Sequence, residues 1–187
     1  MYKRQVIHGV EGGRPEEAER WARHADAAIE RGDIEIARAT LANSRGLVAM
    51  ANNDIEGARG HFERSLALMR KAGAEPPRLS TASYNLGNVM LRLGFAERAE
   101  ALMRSASAVP LTRGEVMGPT RGTMLVGLAV ALEAQGKVQA AMDMLESAIE
   151  VLGSGTPRKL MLAHASYNLG ALHLDHGEAA DAIEPLE

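Results

Sequence analysis

Two segments carry residue types whose spacing could do chemistry. His173-x-x-His176 puts two imidazoles on adjacent turns of a helical stretch, with Asp175, Glu178 and Asp181 close by. That spacing suits a divalent transition metal. Lone helical histidines, however, are more often packed than ligating. His176 stands just before Gly177, where a cation favours a helix C-terminus. Packing is therefore the expected role, and no metal site is expected. Gly153-Ser154-Gly155-Thr156-Pro157 is glycine-rich, but it lacks the spaced Gly-Lys-Ser/Thr of a phosphate loop and follows a helical stretch, not a strand. It reads as a connector. Gly122 and Gly127 make no dinucleotide fingerprint for the same reason, and His24 and His61 are lone histidines. With no cysteine in the chain, thiolate catalysis, disulfides and cysteine-based zinc sites are excluded. No nucleophile elbow or specific carboxylate pair is present. The expectation is no catalytic residue, no cofactor and no metal: a chain that is not an enzyme.

Composition narrows the remaining classes. Among 187 residues, 21 Lys and Arg against 24 Asp and Glu leave a formal net charge of −3. That is too little charge to imply nucleic acid as a direct partner, and aromatics at 3% offer few stacking platforms. Hydrophobic residues at 46% suit a folded chain. No run reaches the roughly 18 apolar residues of a membrane span, and the first ten residues are too short for a signal core. No membrane partner and a cytoplasmic location are expected.

The elements that position these residues are periodic. Ala82-Ser83-Tyr84-Asn85-Leu86-Gly87 recurs letter for letter as Ala165-Ser166-Tyr167-Asn168-Leu169-Gly170, an offset of 83 residues. Small residues recur at Ala18, Ala58, Ala99, Ala141 and Ala182, in steps of 40, 41, 42 and 41. Five residues before each stands a turn former: Gly13, Asn53, Gly94, Gly136 and Gly177. Four residues after each comes Ala22, Phe62, Met103, Leu145 or Leu186, and three further on Ala25, Ser65, Ala106 or Ala148. Each unit therefore reads as two helices. The Gly or Asn ends the first in a left-handed conformation. The Ala lets the second cross it closely, and the larger residue fills the space one turn on. Leu86-Gly87, Leu128-Ala129 and Leu169-Gly170 mark the first helix; Arg45-Gly46 departs by placing a charge where Leu is expected.

The expected helices are 15–31, 33–52, 54–71, 79–93, 96–108, 120–135, 138–152, 158–176 and 180 onward. Loops are expected at Gly73–Arg78, Val109–Gly118 and Gly153–Pro157. Pro15, Pro76, Pro77, Pro110, Pro119 and Pro157 fall at helix starts or between pairs, where proline does least harm; Pro185 is tolerable if the last helix starts near Asp181.

With Leu-Gly, Gly, Ala, a large apolar residue and Ala in register, the unit resembles a tetratricopeptide repeat (TPR). The family period is about 34 residues; here it is 41–42. That longer period, with phrases such as Glu63-Arg64-Ser65-Leu66-Ala67-Leu68, resembles the subclass of kinesin light chains and of repeat arms in bacterial regulators. The resemblance implies an all-α, right-handed α-solenoid of antiparallel helix pairs. Residues 1–12 form an N-terminal segment and 13–187 a single array. Within it, 13–32 is the second helix of a partial repeat, 33–72, 79–108 and 120–152 are repeats, and 158–187 is an incomplete one.

The resemblance also implies that first helices line a concave ligand groove. The groove candidates are Asn43, Thr81, Tyr84, Asn88, Arg92, Val126, Val130, His164, Tyr167, Ala171 and Leu174. Tyr84 and Tyr167 offer flat apolar contact plus a hydroxyl, while Asn88 and Arg92 suit a peptide backbone or carboxylate. Asn88 matches an asparagine of the family's carboxylate clamp, but no Lys accompanies it, so chaperone-tail binding is not expected. A protein or peptide partner is expected, either for a scaffold or for the sensing or autoinhibitory arm of a bacterial regulator.

Both ends of the array read as truncated, so a fragment of a larger protein is expected, with self-association through uncapped repeat ends. Met1-Tyr2-Lys3-Arg4-Gln5 also matches a translation of GTG-TAT-AAG-AGA-CAG, with GTG as start, which resembles a sequencing-adapter tail. That pentapeptide is expected to be non-native.

Overall fold

The computed structural model describes residues 15–29, 35–108, 121–153 and 159–176, with the backbone alone for 15 and 25–29. All eight elements among them are α-helices: α1 (Pro15–Ile29), α2 (Glu35–Ala51), α3 (Ile55–Lys71), α4 (Pro76–Arg92), α5 (Ala96–Ser107), α6 (Arg121–Glu133), α7 (Val138–Gly153) and α8 (Lys159–Asp175). No described helix is long and apolar enough to cross a membrane. The pentapeptide Met1–Gln5, the turn formers Gly13 and Gly177, and Ala182 and Leu186 of the final unit lie outside the described residues.

The turns follow from backbone stereochemistry. Asn53, at φ 60°, is the described non-glycine residue in the left-handed region, which asparagine tolerates better than most side chains. Around it Asn53 N donates to Met50 O at 3.1 Å and Asp54 N to Ala49 O at 2.9 Å, closing the end of α2. Asp54 then caps α3, its Oδ1 accepting from Gly57 N at 2.9 Å. Gly94 and Gly136 end α4 and α6 with φ of 81° and 72°.

One boundary differs from the sequence expectation. Helix α4 starts at Pro76, inside the stretch expected as a loop. Pro76 and Pro77 occupy its first turn, where amides have no intrahelical acceptor and a fixed φ near −65° is already helical.

The chain divides into two compact units, Met1–Leu93 and Gly94–Glu187. In the first, α3 packs against both α2 and α4, and α1 against α2. In the second, α6 packs against α5 and α7, and α7 also against α8. The recurring small residues Ala18, Ala58, Ala99 and Ala141 are all completely buried, as are Ala22, Met103 and Ser65, with Phe62 and Leu145 almost so. Two helices can approach to about 8–10 Å only where the side chains between them are small.

Gly46 shows how tight the approach is: a Cβ there would lie 2.5 Å from Phe62 Cε1. Ser65 stands where the other units have Ala106 and Ala148, and its hydroxyl donates to Ala39 O across the pair at 2.7 Å. That carbonyl also lies within helix α2 and keeps its helical bond without the serine. Ser65→Ala is therefore expected to cost no more than about 1 kcal/mol, read as the shift in urea midpoint at unchanged slope.

A charged cluster fastens the second unit. Glu100 on α5 accepts from Lys137 Nζ at 2.7 Å, from Arg104 Nη2 at 2.7 Å and from Gln135 Nε2 at 3.0 Å. Gln135 and Lys137 flank the turn between α6 and α7, so the cluster ties α5 to that turn. The Lys137 bond, then that of Arg104, lowers the Glu100 carboxyl from 4.5 to about 2, against the opposing effect of burial. A depressed folded-state pKa stabilises above the unfolded value and loses that contribution as pH falls from about 4.5 towards 2. Glu100→Gln is expected to lower stability by about 1–2 kcal/mol at pH 7. The gap from the parent chain closes on acidification, as denaturant titrations at pH 7 and pH 3 would show.

Candidate functional site

In the first unit, the first-helix face is formed by α2 and α4. Asn43 and Asn85 occupy the same register one repeat apart. Asn85 Nδ2 donates to Asn43 Oδ1 at 2.9 Å, which joins the two helices through side chains. Asn43 is 8% exposed and Asn85 half-buried. One turn along, Asn88 hydrogen-bonds Tyr84, and burial pushes the Tyr84 phenol above its ordinary pKa while that bond opposes the rise. Thr81 is half-buried, its hydroxyl donating to Pro77 O at 3.1 Å. Arg92 is exposed at the end of α4; its Nη2 donates to Asn53 Oδ1 at 2.7 Å in the preceding turn, and its Nη1 lies 4.0 Å from Met50 Sδ. A line of amides, a phenol and a guanidinium thus runs along α4, beside α2.

The second unit places its candidates differently. Val126 is 4% exposed and presents almost no surface. It lies on α6, which is apolar on every side because it is packed from two directions. Val130 is half-buried. On α8, His164 is exposed, Tyr167 is 64% exposed, Leu174 is 54% exposed and Ala171 is half-buried. Tyr84 and Tyr167, at the centre of identical hexapeptides, therefore meet opposite environments.

His173 is half-buried and His176 exposed, and no group of three His, Asp or Glu side chains that could hold a metal occurs among the described residues. His61 is half-buried on α3; burial, then the charge of Arg45, holds its imidazole below the usual value.

Two functional-looking residues escaped sequence reasoning. Asn85 was hidden inside the repeated hexapeptide; its signal is the recurrence of Asn at 43, 85 and 168. Glu100 gave only the i,i+4 spacing to Arg104, since its other partners Gln135 and Lys137 lie 35 and 37 residues away.

A family model described as tetratricopeptide repeat matches residues 43–111 and 84–157, most of the chain. The chain belongs to the tetratricopeptide repeat family. No curated protein sequence matches it. Solved structures do. A protein from Podosopora anserina, described as a kinesin light chain with nearly identical TPR-like repeats, is 18% identical, with 99% of this chain and 90% of that one covered at a TM-score of 0.77. BtubC (BKLC) from P. vanneervenii is 19% identical over 97% of this chain and 74% of its own, at 0.79. NprR, solved in complex with its cognate peptide NprX, is 14% identical over 98% of this TPR chain and 52% of its own, at 0.73. At these identities the likeness is one of fold: an all-α array of TPR-like helix pairs.

Proposed function

We propose that this TPR chain is a protein- or peptide-binding scaffold and that its ligand lies along the first-helix face. The ligand contacts would be drawn from Thr81, Tyr84, Asn88 and Arg92 on α4, with Asn43 behind them. The corresponding line in the second unit is Val130, His164, Tyr167, Ala171 and Leu174, with Val126 beneath. The observation that carries the reading is the Asn43–Asn85 amide pair at one-repeat spacing. Each amide spends only one donor or acceptor on the other, and an amide offers two donors and a two-lone-pair acceptor. What is left matches the alternating N–H and C=O groups of an extended polypeptide. The modest net charge favours polypeptide over nucleic acid or anionic lipid.

A second reading takes the array as the sensing or autoinhibitory arm of a multidomain bacterial signalling or transcription regulator. It is supported by the likeness to NprR, which holds a peptide and of which this chain covers about half. Both readings use the same face.

The test is selection from a random peptide library against the chain. Binders of micromolar affinity are expected, weakened about ten-fold or more by Asn85→Ala combined with Asn88→Ala, with helical content unchanged. Binders indifferent to those substitutions, or turnover of a metabolite with no polypeptide captured, would contradict the reading.

A further inference from the structure

Helix α4 carries a stripe that the groove reading uses only in part. Arg78, Thr81, Asn85, Asn88 and Arg92 follow one another at steps of three, four, three and four residues, the spacing that keeps side chains on one face of a helix. The two arginines are exposed, and the three residues between them are half-buried. Every member is polar and none is acidic. The neighbouring helix α2 brings no acid to this face: its single carboxylate, Glu35, is held by Lys71 of α3 at 2.9 Å.

The two arginines differ in what the helix gains from them. Arg92 stands in the last turn of α4, where a cation suits the helix dipole, and it also donates to Asn53. Arg78 stands in the first turn, where a cation opposes the dipole and an acid would suit. Its guanidinium has no hydrogen bond or ion pair with a described residue. Neither the helix nor its neighbours account for an arginine there.

We infer that Arg78 and Arg92 mark the two ends of the ligand site on α4, and that the ligand is an extended polypeptide segment with two Asp or Glu side chains about six residues apart. This rests on the groove reading and names the ligand class for it. At 1.5 Å per residue, the helix sets the arginines about 21 Å apart along α4. An extended chain advances about 3.3 Å per residue, so about six residues cover that span. An even number matters, because strand side chains alternate: residues i and i+6 leave the same edge and both meet α4. Each guanidinium accommodates a carboxylate in a two-bond fork. Thr81, Asn85 and Asn88 then face the stretch between the acids, with amide groups suited to its backbone N–H and C=O. A nucleic-acid strand fits poorly, since it carries a charge at every nucleotide and meets neutral amides between the two cations. Both acids are side chains, so no chain terminus is needed, unlike in a clamp for a terminal carboxylate.

Selection from a random peptide library tests this, with each peptide joined to its carrier at both ends so that no terminus is free. Binders of the 187-residue chain are expected to share an acidic pair at a spacing of about six residues. Arg78→Glu should weaken them about ten-fold or more. The same variant should be as stable as the parent or more so, because an acid suits the first turn. Lys in place of the acid at one end of the pair should restore binding to that variant, and at the other end should not. Acids recurring at helical spacings of three, four or seven, or a stronger hold on a single-stranded oligonucleotide than on any peptide, would overturn the inference. So would binders that weaken with Asn85→Ala and Asn88→Ala but ignore Arg78→Glu, a result that leaves the groove reading standing. A chain that captures no peptide overturns both.

Discussion

Gly46→Ala is expected to destabilise the chain by about 2–3 kcal/mol, although alanine is the better helix former by about 1 kcal/mol. Gly46 is in the middle of α2, so propensity alone predicts a gain. Sterics predict the reverse. The new Cβ would fall 2.5, 2.6 and 2.7 Å from Cε1, Cδ1 and Cζ of Phe62. That ring is 1% exposed and has nowhere to turn, so α2 and α3 must separate along their length. The diagnostic is a double-mutant cycle by thermal or urea denaturation. In a Phe62→Leu background the collision is relieved, and Gly46→Ala should become neutral or stabilising. If the loss were the same in both backgrounds, the close contact between these two helices would not be its cause.

Ala141→Leu should cost a similar amount in the second unit, about 2–3 kcal/mol. Ala141 is completely buried on α7, which packs against α6 on one side and α8 on the other. Three added carbons find no void in an interior packed like an organic crystal. The neighbouring Ala140→Leu, at a half-buried position, is expected to change stability by no more than about 0.5 kcal/mol. Comparable losses at both sites would mean that the 41-residue alanine spacing has no special packing role.

The parts legible in the sequence were those set by local, repeated constraints. A left-handed backbone residue every 41 or so positions demands Gly or Asn, and a close crossing demands a small side chain; both leave letters behind. Asn53, Gly94 and Gly136, together with the buried Ala58, Ala99 and Ala141, bear this out. Pro76-Pro77 misled because prolines that break a helix inside it are tolerated in its first turn. Glu100 was overlooked because its cluster is assembled from two stretches about 35 residues apart, and its pairing with Arg104 within α5 looks like any surface i,i+4 ion pair. Environment was the hardest quantity to read. One hexapeptide puts Tyr84 into partial burial and leaves Tyr167 open, and Val126, between them in register, is core. Repeat letters fix which way a side chain leaves its helix; what covers it depends on the next helix along.

The central claim is that helices cross closely at the recurring alanines. Because the chain has no cysteine, one introduced thiol reports one site. Ala58→Cys, Ala99→Cys and Ala141→Cys should react with a water-soluble thiol reagent about 1,000-fold more slowly than Ala67→Cys and Ala101→Cys, two alanines on exposed helix faces. Equal labelling rates at all five positions would contradict the account.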